Sequence, residues 1–371
     1  LFSNYRWDCC PFTRSRKIMI KINQNIISNN SKTYFIADIA ANFDGDIARA
    51  KDLIYLAAEA GADAAKFQNF LAKTIVSDQA FKTIGKQLSH QADWKDSVYD
   101  VYDKASLPIL WTETLRDTCV DAGIDYITTP YDLSLIPILS EYVSAWKVGS
   151  GDITWHELIR TLSLDDKPLL IATGASNMNE VELAMSVALE NKKDVVLMQC
   201  NTNYTASLEN FKYIELNVLK EYRKKYPDII LGLSDHTPGH STVLGSIALG
   251  AKVIEKHFTD DNDREGPDHK FSMNPKSWRD MVDRSRELEY ALGTGIKKIM
   301  DNEKESVVVQ RRGLCASHDL EVGRIITSDD LIALRPCINN GIEPYKMQQL
   351  IGKKTNCKVV SGENITKGMF V

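Results

Sequence analysis

"YFIADIAANFDGDIARAKDLIYLAAEAGADAAKFQ", residues 34 to 68, holds the unit from which the fold is read. "YFIADIA" is an apolar run of strand length. "DIARAKDLIYLAAEAG" then spaces its apolar residues as a helix does and ends on a glycine stop. "ADAAKFQ" is apolar again. Strand, helix and strand in that order imply parallel pairing through a right-handed crossover. The alternation continues through "YITTP" (126–130), "AWKVGS" (145–150), "PLLIATG" (168–174), "VVLMQC" (195–200), "IILGLSD" (229–235) and "VIEKHF" (253–258). Helical stretches lie between most of these, among them a segment around Glu113 to Gly123, "MNEVELAMSVALEN" (178–191) and "HSTVLGSIALG" (240–250). Eight such strands between Tyr34 and Phe258 fit an α/β fold of the (β/α)8 TIM-barrel type, which takes about 250 residues. A doubly wound open sheet is the alternative, but no Gly-rich dinucleotide loop follows the first strand.

The pattern changes on either side of the barrel. Residues 275 to 300 read as one long helix, and 296–312 as a linker. From Gly313 to Val371 the chain has short strands and turns, a separate, small, mostly β domain. A core that small is marginal alone, so this domain is expected to dock on something. The barrel domain is placed at 31–295. Residues 1–30 read as an N-terminal tail: "LFSNYRWDCCPFTRSRK" lacks the apolar segment of a signal peptide, and "MIKINQN" from Met19 reads like a natural start.

The chain of 371 residues is 43% hydrophobic and 26% charged, as ordinary globular proteins are, with a net charge of −5 that argues against a nucleic-acid binder. No apolar run reaches membrane-spanning length. Seven cysteines without a CxxC pair fit reduced thiols in a cytoplasmic enzyme.

Barrel chemistry collects at the C-terminal ends of the strands. Those ends carry Asp38 and Asn42; Lys66 and Gln68; Thr128 and Thr129; Lys147, Ser150 and Asp152; Thr173; Asn201, Asn203 and Tyr204; Ser234, Asp235 and His236; and Lys256 and His257. Two lysines among hydroxyls suit a phosphate or carboxylate. A lysine inside an apolar strand such as "AAKFQ" is unfavourable unless paired, so Lys66 and Lys147 point to function more than to packing. Either histidine alone would be an ordinary structural residue; together on adjacent strand ends they suit a divalent metal. The local pair His236 and His240 in "LSDHTPGH" is not a ligand pair, because Pro238 and Gly239 break any shared helical face. His240 is read as a helix-start residue. Asp268, in "DDNDREGPDHK", follows a path fixed by Gly266 and Pro267, and the stretch reads equally well as a solvated loop.

In order along the chain, "FIADIAANFDGD", "GADAAKFQ", "TTPYD", "KVGSGDIT", "GLSDHTPG" and "VIEKHFTDDNDREGPDHKFSMNP" closely resemble the segments of the sialic acid synthase family, and "RRGLCASHDLEVGRIITSDDLIALRP" resembles its C-terminal antifreeze-like (SAF) domain. The likeness covers residues 31 to 371. It implies a transferase that joins phosphoenolpyruvate through C3 to the aldehyde of an open-chain N-acylated mannosamine-type sugar. Phosphate then leaves by C–O cleavage from a tetrahedral intermediate. A divalent metal, manganese with magnesium or cobalt as alternatives, would polarise the aldehyde. Carried over residue by residue, His236 and His257 match the metal ligands. Lys66, Thr129, Lys147, Ser150, Ser234 and, beside a missing serine, Thr173 match the phosphoenolpyruvate site. Gln68, Asp152, Tyr204 and Asp268 match the sugar site, with Asp38, Lys66, Lys147 and Asp268 as catalytic groups. Arg335 matches an arginine that reaches the partner subunit's site, which implies a domain-swapped homodimer.

The chain departs from the family at four places. Asp38 and Asp152 stand where glutamates are usual, Phe43 where a histidine is, and Ala172 where a serine contacts phosphate. The two shortened arms bear on the identity of the sugar more than on the reaction. N-acetylmannosamine and the 2,4-diacetamido-trideoxy precursors of legionaminic and pseudaminic acids all remain open. The stretch "SHQADWKDSVYDVYDKASLPILW", in the loop after the second barrel strand, is where a choice among them is expected. Two other readings compete: a barrel acting on phosphorylated sugars to make 3-deoxy heptulosonate or octulosonate, and a degenerate barrel serving as a carbohydrate-binding scaffold.

Overall fold

A computed structural model describes residues 19–84, 91–92, 94–192 and 194–371. Eight strands close into a parallel barrel: β3 (Tyr34–Asp38), β4 (Ala64–Asn69), β5 (Asp125–Pro130), β6 (Ala145–Val148), β7 (Leu169–Ala172), β8 (Val195–Cys200), β9 (Ile230–Asp235) and β10 (Ala251–His257), with β10 pairing back to β3. All eight coincide with the apolar runs read from the sequence. Helices Ile47–Glu59, Thr112–Asp121, His156–Ser163, Met178–Asn191, Val218–Lys225 and Ser241–Ala248 cover the outside, with the short turn Ile136–Leu139 between β5 and β6. The first of these starts where Asp46 caps the backbone N–H of Ala48. The helix after β7 opens on a reciprocal capping box between Asn177 and Glu180.

Strand alternation divides the barrel's residues into two sets. Outward residues such as Phe35, Phe67, Trp146 and Leu231 join the helices in the main core. Inward residues of the lower barrel, among them Ile36, Ile127, Leu170, Val196 and Val253, form a second core that includes Ile20, Ile22 and Ile27. Those three isoleucines correct the expected tail. Residues 1–18 lie outside the described residues, but β1 (Met19–Ile22) and β2 (Asn25–Ser28) pair as an antiparallel hairpin that closes the barrel floor. The amides of Asn23 and Asn25 donate to the Asp125 carboxylate at 2.6 and 2.9 Å, and Tyr34 Oη donates to it at 2.6 Å. The turn needs positive φ at Asn23 (47°), which asparagine tolerates.

The helix expected over 275–300 runs only from Pro275 to Leu292. Gly293 follows with φ of 59°, a left-handed conformation that suits glycine and stops the helix. Here the chain divides: one compact unit ends at Gly293 and a second runs Thr294–Val371. The segment read as a linker belongs to the second unit and contains the helix Lys304–Gln310. That unit pairs β11 (Gly313–Ala316) with β12 (Leu331–Leu334) in antiparallel fashion, around a core of Leu314, Leu320, Ile326, Ile342, Leu350, Val359 and Ile365. Among the described residues no helix is long and apolar enough to cross a membrane.

Candidate active site

The C-terminal mouth of the barrel holds a cavity of about 290 Å³ lined by inward residues of every barrel strand but β7, and by the loops above them. Register explains what meets there. Asp38 lies level with His257 on one side and Lys66 on the other, Gln68 with Thr129, and Ser234 with Glu255. Lys66 Nζ sits 2.7 Å from Asp38 Oδ2 and 3.9 Å from Glu255 Oε1, and donates to Thr129 Oγ1 at 3.4 Å. Lys147 Nζ donates to Glu255 Oε1 at 3.0 Å, and Ser234 Oγ donates to the same oxygen at 3.2 Å. Gln68 Nε2 donates to Asp38 Oδ2 at 3.1 Å. Both lysines are almost fully buried, so the two carboxylates offset the loss of their hydration. Burial alone would lower the Lys66 pKa, but Asp38 and Glu255 raise it; burial would likewise lift Asp38, but Lys66 holds it down. Both groups stay charged.

His236 and His257 face each other with ring centres 5.4 Å apart. His236 Nδ1 sits 2.8 Å from the Asn201 carbonyl, which makes it the donor and leaves Nε2 as the nitrogen a metal would take. Burial would lower the ring's pKa, but Cys200 beside it raises it, so a metal would have to displace a proton there. His257 Nε2 lies 3.5 Å from Asp38 Oδ2, and its buried Nδ1 has no hydrogen-bond partner. Burial drives the His257 pKa down to about 3, so it is neutral, the form a metal requires. Among the described residues no three His, Cys, Asp or Glu side chains converge to hold an ion. The donor set therefore fits a divalent cation only with two imidazoles from the protein and the other positions filled by water or substrate oxygens.

Ser150 Oγ accepts from the Gly174 N–H at 2.9 Å, facing the cavity from the turn after β6. In that turn Asp152 carries a buried oxygen without a partner, and burial raises its pKa to about 6. Tyr204 packs at a tilt against His236, with ring centres 4.2 Å apart and planes inclined by 57°. Asp268 borders an adjoining chamber that shares Gln68, Tyr204 and His257 with the main cavity. It accepts from the Ala41 N–H at 3.2 Å, and burial pushes its pKa up to about 6.

Some expectations need correction. Thr173 does not line the cavity: its hydroxyl donates to the Met198 carbonyl at 3.0 Å and accepts from Tyr222 at 3.0 Å. Asp235 and Lys256 alternate to the outer face, where they form a buried ion pair at 2.5 Å. Asn42 holds the Phe258 carbonyl, and Asn203 caps its own loop through Thr205 and Asn210. Phe43 is buried and packs edge-on against Trp111. His240 precedes the helix Ser241–Ala248 at its N-cap position, without a side-chain capping bond, and contacts Asp280 at 3.2 Å, as a helix-start residue would. Arg335 belongs to the second unit, where it is exposed and its Nε donates to the Gln310 carbonyl at 2.6 Å. Glu255 escaped notice, although a charged residue two positions before His257 in a strand points the same way. Cys200, Phe70, Tyr102 and Tyr131 also line the cavity and were not read from the sequence.

The NeuB family model matches residues 53–297, and the SAF domain model matches residues 311–371. The chain is 33% identical over 326 residues to the N,N'-diacetyllegionaminic acid synthase of Campylobacter jejuni, spanning 87% of this chain and 95% of that one. It is 30% identical over 348 residues to a pseudaminic acid synthase of the same species, spanning 92% and 98%. The N-acetylneuraminic acid synthetase of Leptospira borgpetersenii shares the fold with a TM-score of 0.68 at 24% identity, over 78% of this chain and 95% of that one.

Proposed function

Because the chain belongs to the NeuB family, we propose that it joins phosphoenolpyruvate to an open-chain 2-acetamido sugar to make a nonulosonic acid. The observation that carries this reading is the pair of buried, charge-neutralised lysines beside two facing imidazoles at the barrel mouth. Lys66 is held protonated, so it serves as a cation and not as a Schiff-base amine. With Thr129, Lys147, Ser150 and Ser234 it makes an anion site. C3 of phosphoenolpyruvate attacks the aldehyde carbon, forming the new C–C bond. Water then adds at C2, and the C2–O bond to phosphate breaks as the ketone forms. The two protons of that water end on the former aldehyde oxygen and on the released phosphate. Asp268, with a pKa near 6, is suited to exchanging the first of these.

Lys66 and Lys147 carry two positive charges and Asp38 and Glu255 two negative, so these four groups cancel and leave no net positive charge for an anion. A phosphoryl ester of about −1.5 to −2 plus a carboxylate would leave the site strongly anionic. His236 and His257 would hold a divalent cation, manganese in our reading, which when bound would offset that charge and supply Lewis-acid polarisation of the aldehyde. Arg335 of a second copy completes the sugar site in a swapped homodimer.

The test is phosphate release from phosphoenolpyruvate by the purified chain, with and without manganese, on N-acetylmannosamine and on 2,4-diacetamido-2,4,6-trideoxy hexoses. Release that needs both metal and sugar, with a product heavier than the sugar by a pyruvate unit, is expected. No release with any of these sugars in the metal-loaded protein overturns the proposal. Turnover of arabinose 5-phosphate or erythrose 4-phosphate alone would favour the 3-deoxy sugar-phosphate synthases.

A further inference from the structure

Beyond the lysines the cavity changes character. The adjoining chamber is walled by Phe70, Trp94, Tyr102 and Tyr131, with ring centres 5.3 Å apart for Phe70 and Tyr102, 6.3 Å for Trp94 and Tyr102, and 6.1 Å for Phe70 and Tyr131. Tyr131 comes in close because residue 149 is glycine: a Cβ there would meet its hydroxyl at 2.8 Å. Trp94 and Tyr102 come from the long connection between β4 and β5, Tyr102 on its helix Val98–Ala105. Among the described residues no lysine or arginine lines this chamber, and Asp268 is the one carboxylate that does. The basic residues of the groove outside it are largely engaged: Lys95 with Glu265 at 3.2 Å, Arg264 with Asp44 at 2.7 Å and Lys104 with Asp96 at 2.5 Å.

We infer that this aromatic wall selects an acceptor whose far end is uncharged and methyl-bearing, a deoxygenated, acylamido-substituted hexose tail, over one ending in a hydroxymethyl or phosphate group. The inference rests on the synthase reading above. A terminal phosphate would bring a dianion against aromatic faces and a carboxylate, with no lysine or arginine among the described lining residues to receive it. A hydroxymethyl group would lose hydration against the same faces. A methyl group and the methyl of a second acetamido group gain from that burial.

The experiment compares kcat/KM for three acceptors at saturating phosphoenolpyruvate and manganese: N-acetylmannosamine, its 6-phosphate, and 2,4-diacetamido-2,4,6-trideoxymannose. The trideoxy sugar is expected to lead N-acetylmannosamine by about tenfold or more, the discrimination an apolar pocket gives for a group of this size, and the 6-phosphate to be the poorest. Trp94→Ala should narrow the first ratio while leaving KM for phosphoenolpyruvate unchanged. A Tyr102→Leu variant, which keeps an apolar surface, should retain more of the preference. Equal or better turnover of N-acetylmannosamine or its phosphate overturns the inference and leaves the synthase reading intact. No phosphate release with any of the three defeats the synthase reading itself.

Discussion

Glu255 Oε1 is shared by Lys147 and Ser234, and its other oxygen is buried without a partner. Glu255→Gln keeps the shape and removes the charge, which leaves Lys147 buried and uncompensated. Breaking a buried pair in this way costs about 3 to 5 kcal/mol, so the variant should unfold at clearly lower urea in the metal-free protein and lose most turnover. An unchanged urea midpoint would contradict the pairing. Asp268 gives a pH signature. Burial raises its folded pKa to about 6, above the ordinary carboxylate value. It therefore stabilises the fold relative to a permanently charged group at low pH, and that contribution fades as pH rises from about 4 through 6. Asp268→Asn should flatten the decline in stability over that window, measured by denaturant unfolding at stepped pH without metal. It should also remove the limb near pH 6 from the kcat/KM profile, if Asp268 exchanges the proton assigned to it.

The floor hairpin shows what a short element can decide. β1 and β2 place Ile20, Ile22 and Ile27 against the inward residues of the barrel, and Asp125 ties the turn in place. Ile22→Ala empties a fully buried site and should cost about 3 kcal/mol of stability, seen as a lower urea midpoint with the slope unchanged. A midpoint within error of the parent would mean the hairpin does not belong to the barrel core in solution. The sequence "MIKINQNIIS" alternates as a strand pair does, but nothing local says that its apolar face fills a barrel. The eight barrel strands were legible because each is a continuous apolar run between helical segments. The stop at Leu292 was not, since "YALGTGIKKIM" carries no proline and only two glycines whose backbone angles the fold sets.

For the whole molecule, the proposed exchange of small domains makes a quantitative prediction. Lys66→Ala and Arg335→Ala should each abolish or strongly reduce turnover as homodimers. Mixed after unfolding and refolding together, they should recover about a quarter of the parent activity, because half the dimers are mixed and each of those keeps one intact site. No recovery, with both variants folded and dimeric, would place Arg335 outside the partner's site. Truncation before Gly313 should leave a folded barrel with impaired turnover of the sugar.

By itself the sequence determined the barrel, the boundary region of a second domain, and the ring of polar strand ends. These depend on periodicity and on the unfavourable placement of lysines and histidines in apolar strands, both local properties of the chain. Tertiary structure decided which strand-end residues face the cavity. It turned Asp235 and Lys256 outward, engaged the Thr173 hydroxyl with Met198 and Tyr222, and made Glu255 the shared partner of Lys147 and Ser234. It also assembled the aromatic wall from residues as distant as Phe70 and Tyr131. Register between parallel strands and the path of the loops above them set these contacts, and both are fixed only when the barrel closes.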